Sequence, residues 1–290
     1  MASSKNNHVF IWKDFSKWKS ALEGMFKDIL TPELEAKVKQ EAESIKYWNA
    51  QTPCEKLIGQ PMDSIVTDNK IDEFRQQYSH IRFYHACRTA DVSSYYDKGI
   101  LPSIELKDVL VNRFRELYLS GRFPELTEDM LQQSIKKVSK GLERGLFLVI
   151  DDRQIIEDAG HYLIYGAEYM TKLVTQLPIE NSQEKYFPVF RKIGKPTIIV
   201  INLPNTTEYL SDCNIEVVII YMITQWFYAI AHTRLESCIY TDDILVYKPI
   251  LPEHVFSHYH PTKKIPDPVL GGIYDPETGE YYNNSDGPYY

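Results

Sequence analysis

Apolar residues recur at helical spacing from residue 14 to about residue 49: Phe15, Trp18, Leu22, Met25, Phe26 and Leu30, then Leu34, Val38, Ala42 and Ile45. Between the two sets, Thr31-Pro32-Glu33 carries the marks of a helix start. The threonine hydroxyl accepts from the first turn, the proline loses nothing at the first helical position, and the glutamate favours the positive end. The spacing predicts an antiparallel helical pair here and a third helix over residues 68 to 80. Strand signals begin only at residue 81. "FYHACRTADVSSYYDKGILP", residues 83 to 102, reads as a strand ending in His85-Ala86-Cys87-Arg88, a tight corner, and a short helix closed by Gly99.

Helical spacing returns over residues 104 to 145 in two stretches, each closing at glycine, and "GLFLVIDD" at 145 to 152 reads as a buried strand. The next segment predicts a helix interrupted or closely packed at Gly160 and Gly166. "KPTIIVINLP" (195 to 204), "NIEVVIIYMI" (214 to 223) and "DDILVYKPI" (242 to 250) are rich in β-branched and aromatic residues and predict three strands. A run of helices followed by a strand-dominated half defines an α+β fold rather than a regularly alternating parallel sheet. Beyond residue 260, five prolines and four glycines break the chain, and "IYDPETGEYY" has the shape of a small hairpin. It is either an appended surface hairpin or a partly ordered tail. The predicted organisation is a helical region over 1 to 78, a main domain over 79 to 262 and a tail over 263 to 290.

Composition narrows the classes. With 290 residues, 43% hydrophobic and 25% charged, the chain buries a core of its own. A formal net charge of −8 argues against coating nucleic acid or anionic membrane, which takes a local excess of lysine and arginine. Cys54, Cys87, Cys213 and Cys238 lie far apart without a CxxC pair, which predicts reduced thiols and a cytoplasmic protein. The first residues lack the basic-then-apolar pattern of a secretory leader, and no apolar run is expected to approach the ~18 residues of a membrane span. His254, His258 and His260 sit without an HExxH pattern, so no metal is expected. No GxGxxG, P-loop lysine or GxSxG is present.

Three segments, taken in order, resemble the ADP-ribosyltransferase fold across residues 81 to 260. "FYHACRTADVSSYYDKGILP" resembles the strand whose Tyr-His-small element meets a ribose of NAD, with the short helix and corner that follow. "GLFLVIDDRQIIEDAGHYLIYGAEYM" supplies Tyr162 and Tyr165 where the family carries the aromatic that stacks on nicotinamide, Tyr165 being the better placed between small neighbours. "YTDDILVYKPILPEHVFSHYHP" resembles the last catalytic segment, with Asp243 where the family commonly has glutamate.

The resemblance implies a split β-sheet domain with helical insertions, NAD as substrate, and transfer of ADP-ribose to a macromolecule or hydrolysis of NAD. His85, Tyr165 and Asp243 would be catalytic. His85, Ala86, Cys87, Arg88, Tyr95, Tyr162 and Tyr165 would bind NAD, with Arg88 forked onto the pyrophosphate. Asp243 is one methylene shorter than glutamate, so Asp242 and Glu236 stand as alternatives for its role. A module that binds NAD or ADP-ribose without cleaving it, or a protein-interaction module, is the alternative function. The acidic composition favours a protein acceptor over nucleic acid, and the N-terminal helices and the tail are the expected partner surfaces. Bacterial and phage members of the family are often toxins, effectors or defence components.

Overall fold

In a computed structural model of the chain, Leu34 N donates to Thr31 Oγ1 at 3.2 Å and Pro32 occupies the first helical turn, so the predicted helix start forms as read. Residues 8–46, 51–138, 145–232 and 243–283 are described. The protein is α+β, 52% helix and 16% strand. Two compact units divide it, Met1–Arg82 with Leu203–Tyr240, and Phe83–Asn202 with Thr241–Tyr290. Strands β2 (His80–Thr89) and β4 (Lys195–Pro204) each begin in one unit and end in the other.

The first unit contains β1 (Val9–Phe10), α1 (Phe15–Met25), α2 (Pro32–Gln40), α3 (Gln51–Ile58), α4 (Met62–Ile65) and α5 (Asp68–Gln77). Val9 and Phe10 pair in parallel with His80 and Ile81 of β2. This short strand was not foreseen, because two residues are too few to show a period. Phe10 gathers Trp18, Phe74 and Tyr78 at centroid distances of 5.2 to 6.1 Å.

The largest correction is "NIEVVIIYMI", predicted as a strand and found inside helix α13 (Asp212–Ala231). Ser211 and Asn214 form a reciprocal capping box that fixes the helix start. Ile215, Val218, Ile219, Met222, Ile223, Trp226 and Phe227 are buried at intervals of three and four, and the helix packs on α1 to α5. A continuous run of seven apolar residues, Val217 to Ile223, hides that period, since strand and buried helix look alike over so short a window. At mean hydropathy 1.4 over its most apolar 18 residues, α13 also meets the dimensions of a membrane span, against the sequence expectation. Its buried side faces the first unit's own helices.

Trp12, Trp18 and Trp226 belong to the first unit, so their fluorescence reports on that unit. Ile219 is fully buried. Ile219→Ala is expected to lower stability by about 2–5 kcal/mol through lost burial and a residual cavity. Urea unfolding followed by that fluorescence measures it.

In the second unit follow α6 (Ser93–Lys98), α7 (Ser103–Leu117), α8 (Glu128–Val138), β3 (Leu146–Leu148), α9 (Asp152–Glu157), α10 (His161–Tyr165), α11 (Glu168–Thr175) and α12 (Ser182–Arg191). After α13 come β5 (Ile244–Val246), β6 (Val255–Tyr259), β7 (Ile265–Pro266), β8 (Ile273–Tyr274) and β9 (Tyr281–Tyr282). With so many helices here, the second half is not strand-dominated. The helix read over 153 to 177 is broken where predicted, before α10 at Gly160 and after it at Gly166. Gly160 is close-packed, since a Cβ there would stand 2.4 Å from Pro266 O.

The strands form sheets of order β1-β2-β4-β6, β3-β5 and β7-β8-β9. The predicted hairpin is β8–β9, but it is neither a surface appendage nor a loose tail. β7 completes it, Ile265 and Tyr274 are buried with the second unit's core, and Asp267 is only 3% exposed. Gly99 closes α6 at φ +75°, and a Cβ there would lie 1.9 Å from Ile250 O. Only glycine lets the paired Ile100 and Ile250 approach.

Candidate functional site

Side chains alternate along a strand, and β2 therefore divides its own candidate residues between two faces. Tyr84, Ala86 and Arg88 turn toward the second unit's core. His85 and Cys87 turn the other way. Burial pushes the Cys87 thiol up to about 11, against the lowering effect of its hydrogen bond with Tyr95 on α6, so it stands as a neutral thiol.

Among the described residues, one bridge joins β2 to the residue after β3, in which Tyr84 N donates to Val149 O at 2.8 Å and Val149 N to Tyr84 O at 3.1 Å. The next available carbonyl on β3, Phe147 O, instead meets His85 Nδ1 at 3.2 Å. The imidazole thus fills the gap where the two strands part. Because a carbonyl only accepts, Nδ1 carries the proton. Burial lowers the His85 pKa, which keeps the ring neutral and leaves Nε2 as an acceptor.

On the far side of β3, Leu148 pairs with Ile244 in antiparallel register. Continuing that register by one residue sets Asp243 opposite Val149, so Tyr84, Val149 and Asp243 fall in one row across β2, β3 and β5. Two strand spacings separate the ends of that row, about 9–10 Å. Asp243 is exposed at the sheet's end, and Gln154 Nε2 donates to its Oδ1 at 3.4 Å. The alternative carriers Asp242 and Glu236 lie outside the described residues.

A knot of polar side chains that the sequence reading passed over supports this corner. Asp151 is fully buried, caps α9 through Arg153 N, and accepts from Arg153 Nε at 2.9 Å and Nη2 at 2.5 Å. Asp152, also buried, accepts from the Tyr259 hydroxyl on β6. The available signal was the abrupt Asp-Asp-Arg-Gln after an apolar strand, since buried carboxylates require partners of this kind.

Other candidates hold the unit together. Arg88 donates to Ile193 O (2.9 Å), Leu163 O (3.1 Å), Arg191 O and Tyr274 Oη (3.1 Å), which engages Nε and both terminal nitrogens. The pyrophosphate fork expected of it is not what this geometry presents. Tyr165 is 3% exposed, packs on Phe187 at 4.5 Å, and donates to buried Asp267, which also accepts from Tyr281 Oη at 2.6 Å. A ring enclosed in the core presents no face for a ligand to stack on. Its neighbour Gly166 lies against Arg88, where a Cβ would be 3.4 Å from that of the arginine. Tyr165 therefore belongs to the core-facing side of β2, away from His85. Tyr162 is half-buried, stacked on His161 at 4.1 Å.

His258 and His260, two of the three histidines of this segment, have protein partners. His258 Nδ1 meets Tyr96 Oη at 2.8 Å, and His260 Nδ1 donates to Pro196 O at 2.9 Å. No group of three or more metal-ligating side chains converges among the described residues. Among the described residues, one helix, α13, is long and apolar enough to cross a membrane. No protein-family model, curated protein or solved structure matches this chain.

Proposed function

We propose that the second unit transfers ADP-ribose from NAD to a macromolecule, on an ADP-ribosyltransferase-like split sheet, with His85 and Asp243 as its catalytic residues. One observation supports this reading: β2 and β3 part at His85, and the residue leading into β5, which pairs with β3, sets an exposed carboxylate in the adjoining row, on the Tyr84 side of that row. Neutral His85 offers Nε2 as an acceptor for a ribose hydroxyl. Asp243 offers negative charge to the electron-poor ribose carbon left when the nicotinamide departs with the bonding pair. The acceptor's nucleophile forms the new bond to that carbon and releases its proton; water in that place gives hydrolysis. Cys87 and Tyr95 extend the His85 face, whereas Ala86, Arg88 and Tyr165 act through the core beneath.

The surface beyond Asp243 favours a protein acceptor. Tyr247, 66% exposed, lies just past β5, and Leu251, Phe256 and Tyr96 are exposed in the chain segments that Ile100 and Ile250 join. Apolar and aromatic groups of this kind suit a protein surface, whereas phosphate backbones need clustered lysine and arginine. A silent NAD-binding module is the second reading, favoured by the short side chain of Asp243.

Purified protein incubated with labelled NAD, with and without cell lysate, should release nicotinamide and label protein. Binding by calorimetry without release identifies the silent module. Neither release nor binding overturns both readings.

A further inference from the structure

From the contact between α9 and the start of β5, we infer that Gln154 is a positioning residue for the Asp243 carboxylate. The inference rests on the reading of Asp243 as the reacting carboxylate. Gln154 is 5% exposed and its Nε2 lies 3.4 Å from Asp243 Oδ1, so a buried amide faces an exposed carboxylate. An amide nitrogen only donates, and a carboxylate oxygen only accepts while ionised. The contact therefore favours the ionised form of Asp243, the stronger acceptor, and holds Oδ1 toward α9.

The helix that carries Gln154 is unusually well anchored for six residues. Asp151 caps it and is clasped by Arg153, and Asp152 is tied to Tyr259 on β6. Asp151, Asp152, Arg153 and Tyr259, with Glu157, Tyr84 and His85, are among the titratable or charged groups on the elements around Gln154. The first four are bound to one another, Asp151 to Arg153 and Asp152 to Tyr259. Gln154 is the uncharged member of the Asp-Asp-Arg-Gln run and the one directed at β5. A glutamate there would set two carboxylates face to face, and a methionine would keep the volume and remove the donor.

Three measurements test this on the full chain, with thermal melting to confirm that each variant is folded. In Gln154→Met, kcat for nicotinamide release should fall about tenfold with KM for NAD unchanged, the effect of losing one aligned hydrogen bond. In Gln154→Glu, the acid limb of release should move upward by about one pH unit, the direction like charges impose. Independently of activity, the Gln154 side-chain amide proton resonance should move upfield in Asp243→Ala, as a lost carboxylate acceptor requires. An unmoved resonance, or a kcat and acid limb equal to wild type in both Gln154 variants, overturns the inference. Wild-type protein that releases no nicotinamide while the resonance moves overturns the proposed reaction and keeps the contact.

Discussion

Asp243→Ala is expected to lower nicotinamide release by about two orders of magnitude or more, the scale of removing a positioned electrostatic group. The side chain is exposed just before β5, where Gln154 Nε2 donates to it, and exposed positions contribute little to stability, so folding should barely change. Thermal melting of the variant within a few degrees of wild type, with release abolished, is the expected pair of results. Release that survives the change removes Asp243 from the chemistry and returns attention to Asp242 and Glu236. Asp243→Glu is the informative companion. If the shorter side chain limits the reaction, the added methylene raises release; if the backbone already stands close enough, the longer chain displaces the carboxylate and release falls.

The largest effect on stability should come from Arg88→Met. The guanidinium gathers three main-chain carbonyls, from α10, the end of α12 and the turn after it, together with the Tyr274 hydroxyl, and its charge lies 5.3 Å from the Tyr274 ring centre. Methionine retains much of the stem's packing but leaves the carbonyls with no donor, and hydrogen bonds to charged groups are individually worth about 1.5–3 kcal/mol. Allowing for water reaching some of them, a net loss of about 3 kcal/mol or more is expected, at the upper end for a single substitution. Circular dichroism through a urea titration should show it, with the first unit's tryptophan transition unmoved. A loss below about 1 kcal/mol would mean that solvent serves these carbonyls as well as Arg88 does.

Much of the first unit could be read from residue order, because its signals are local. The Thr31 cap, the proline behind it and the apolar spacing of α1 and α2 act within one turn. The reading failed at α13, where apolar residues on every side erased the periodicity and only the Ser211–Asn214 cap marked a helix. At the candidate site the sequence named His85 and Asp243 but could not divide β2 by face. It therefore grouped Ala86 and Arg88 with His85, whereas strand alternation sends them to the core. Tyr165 misled for a related reason: small neighbours at Gly166 and Ala167 read as room for a ligand, and Arg88 and Phe187 use that room. The Asp151–Arg153 clasp stands two residues apart in the chain, yet its meaning depends on burial, which no spacing reveals.

Asp267 sets an order on synthesis. Its carboxylate is the acceptor for Tyr165, a residue made about a hundred positions earlier, and Tyr281, its other phenolic partner, comes later still. As the chain leaves the ribosome, Tyr165 and the α12 aromatics emerge with that acceptor missing, and Arg88 waits for Tyr274 in the same way. The second unit therefore cannot close as it is made. It holds an unfinished core until β7 to β9 arrive, and nascent chains arrested before residue 267 should remain open to protease across the segment that carries Tyr165.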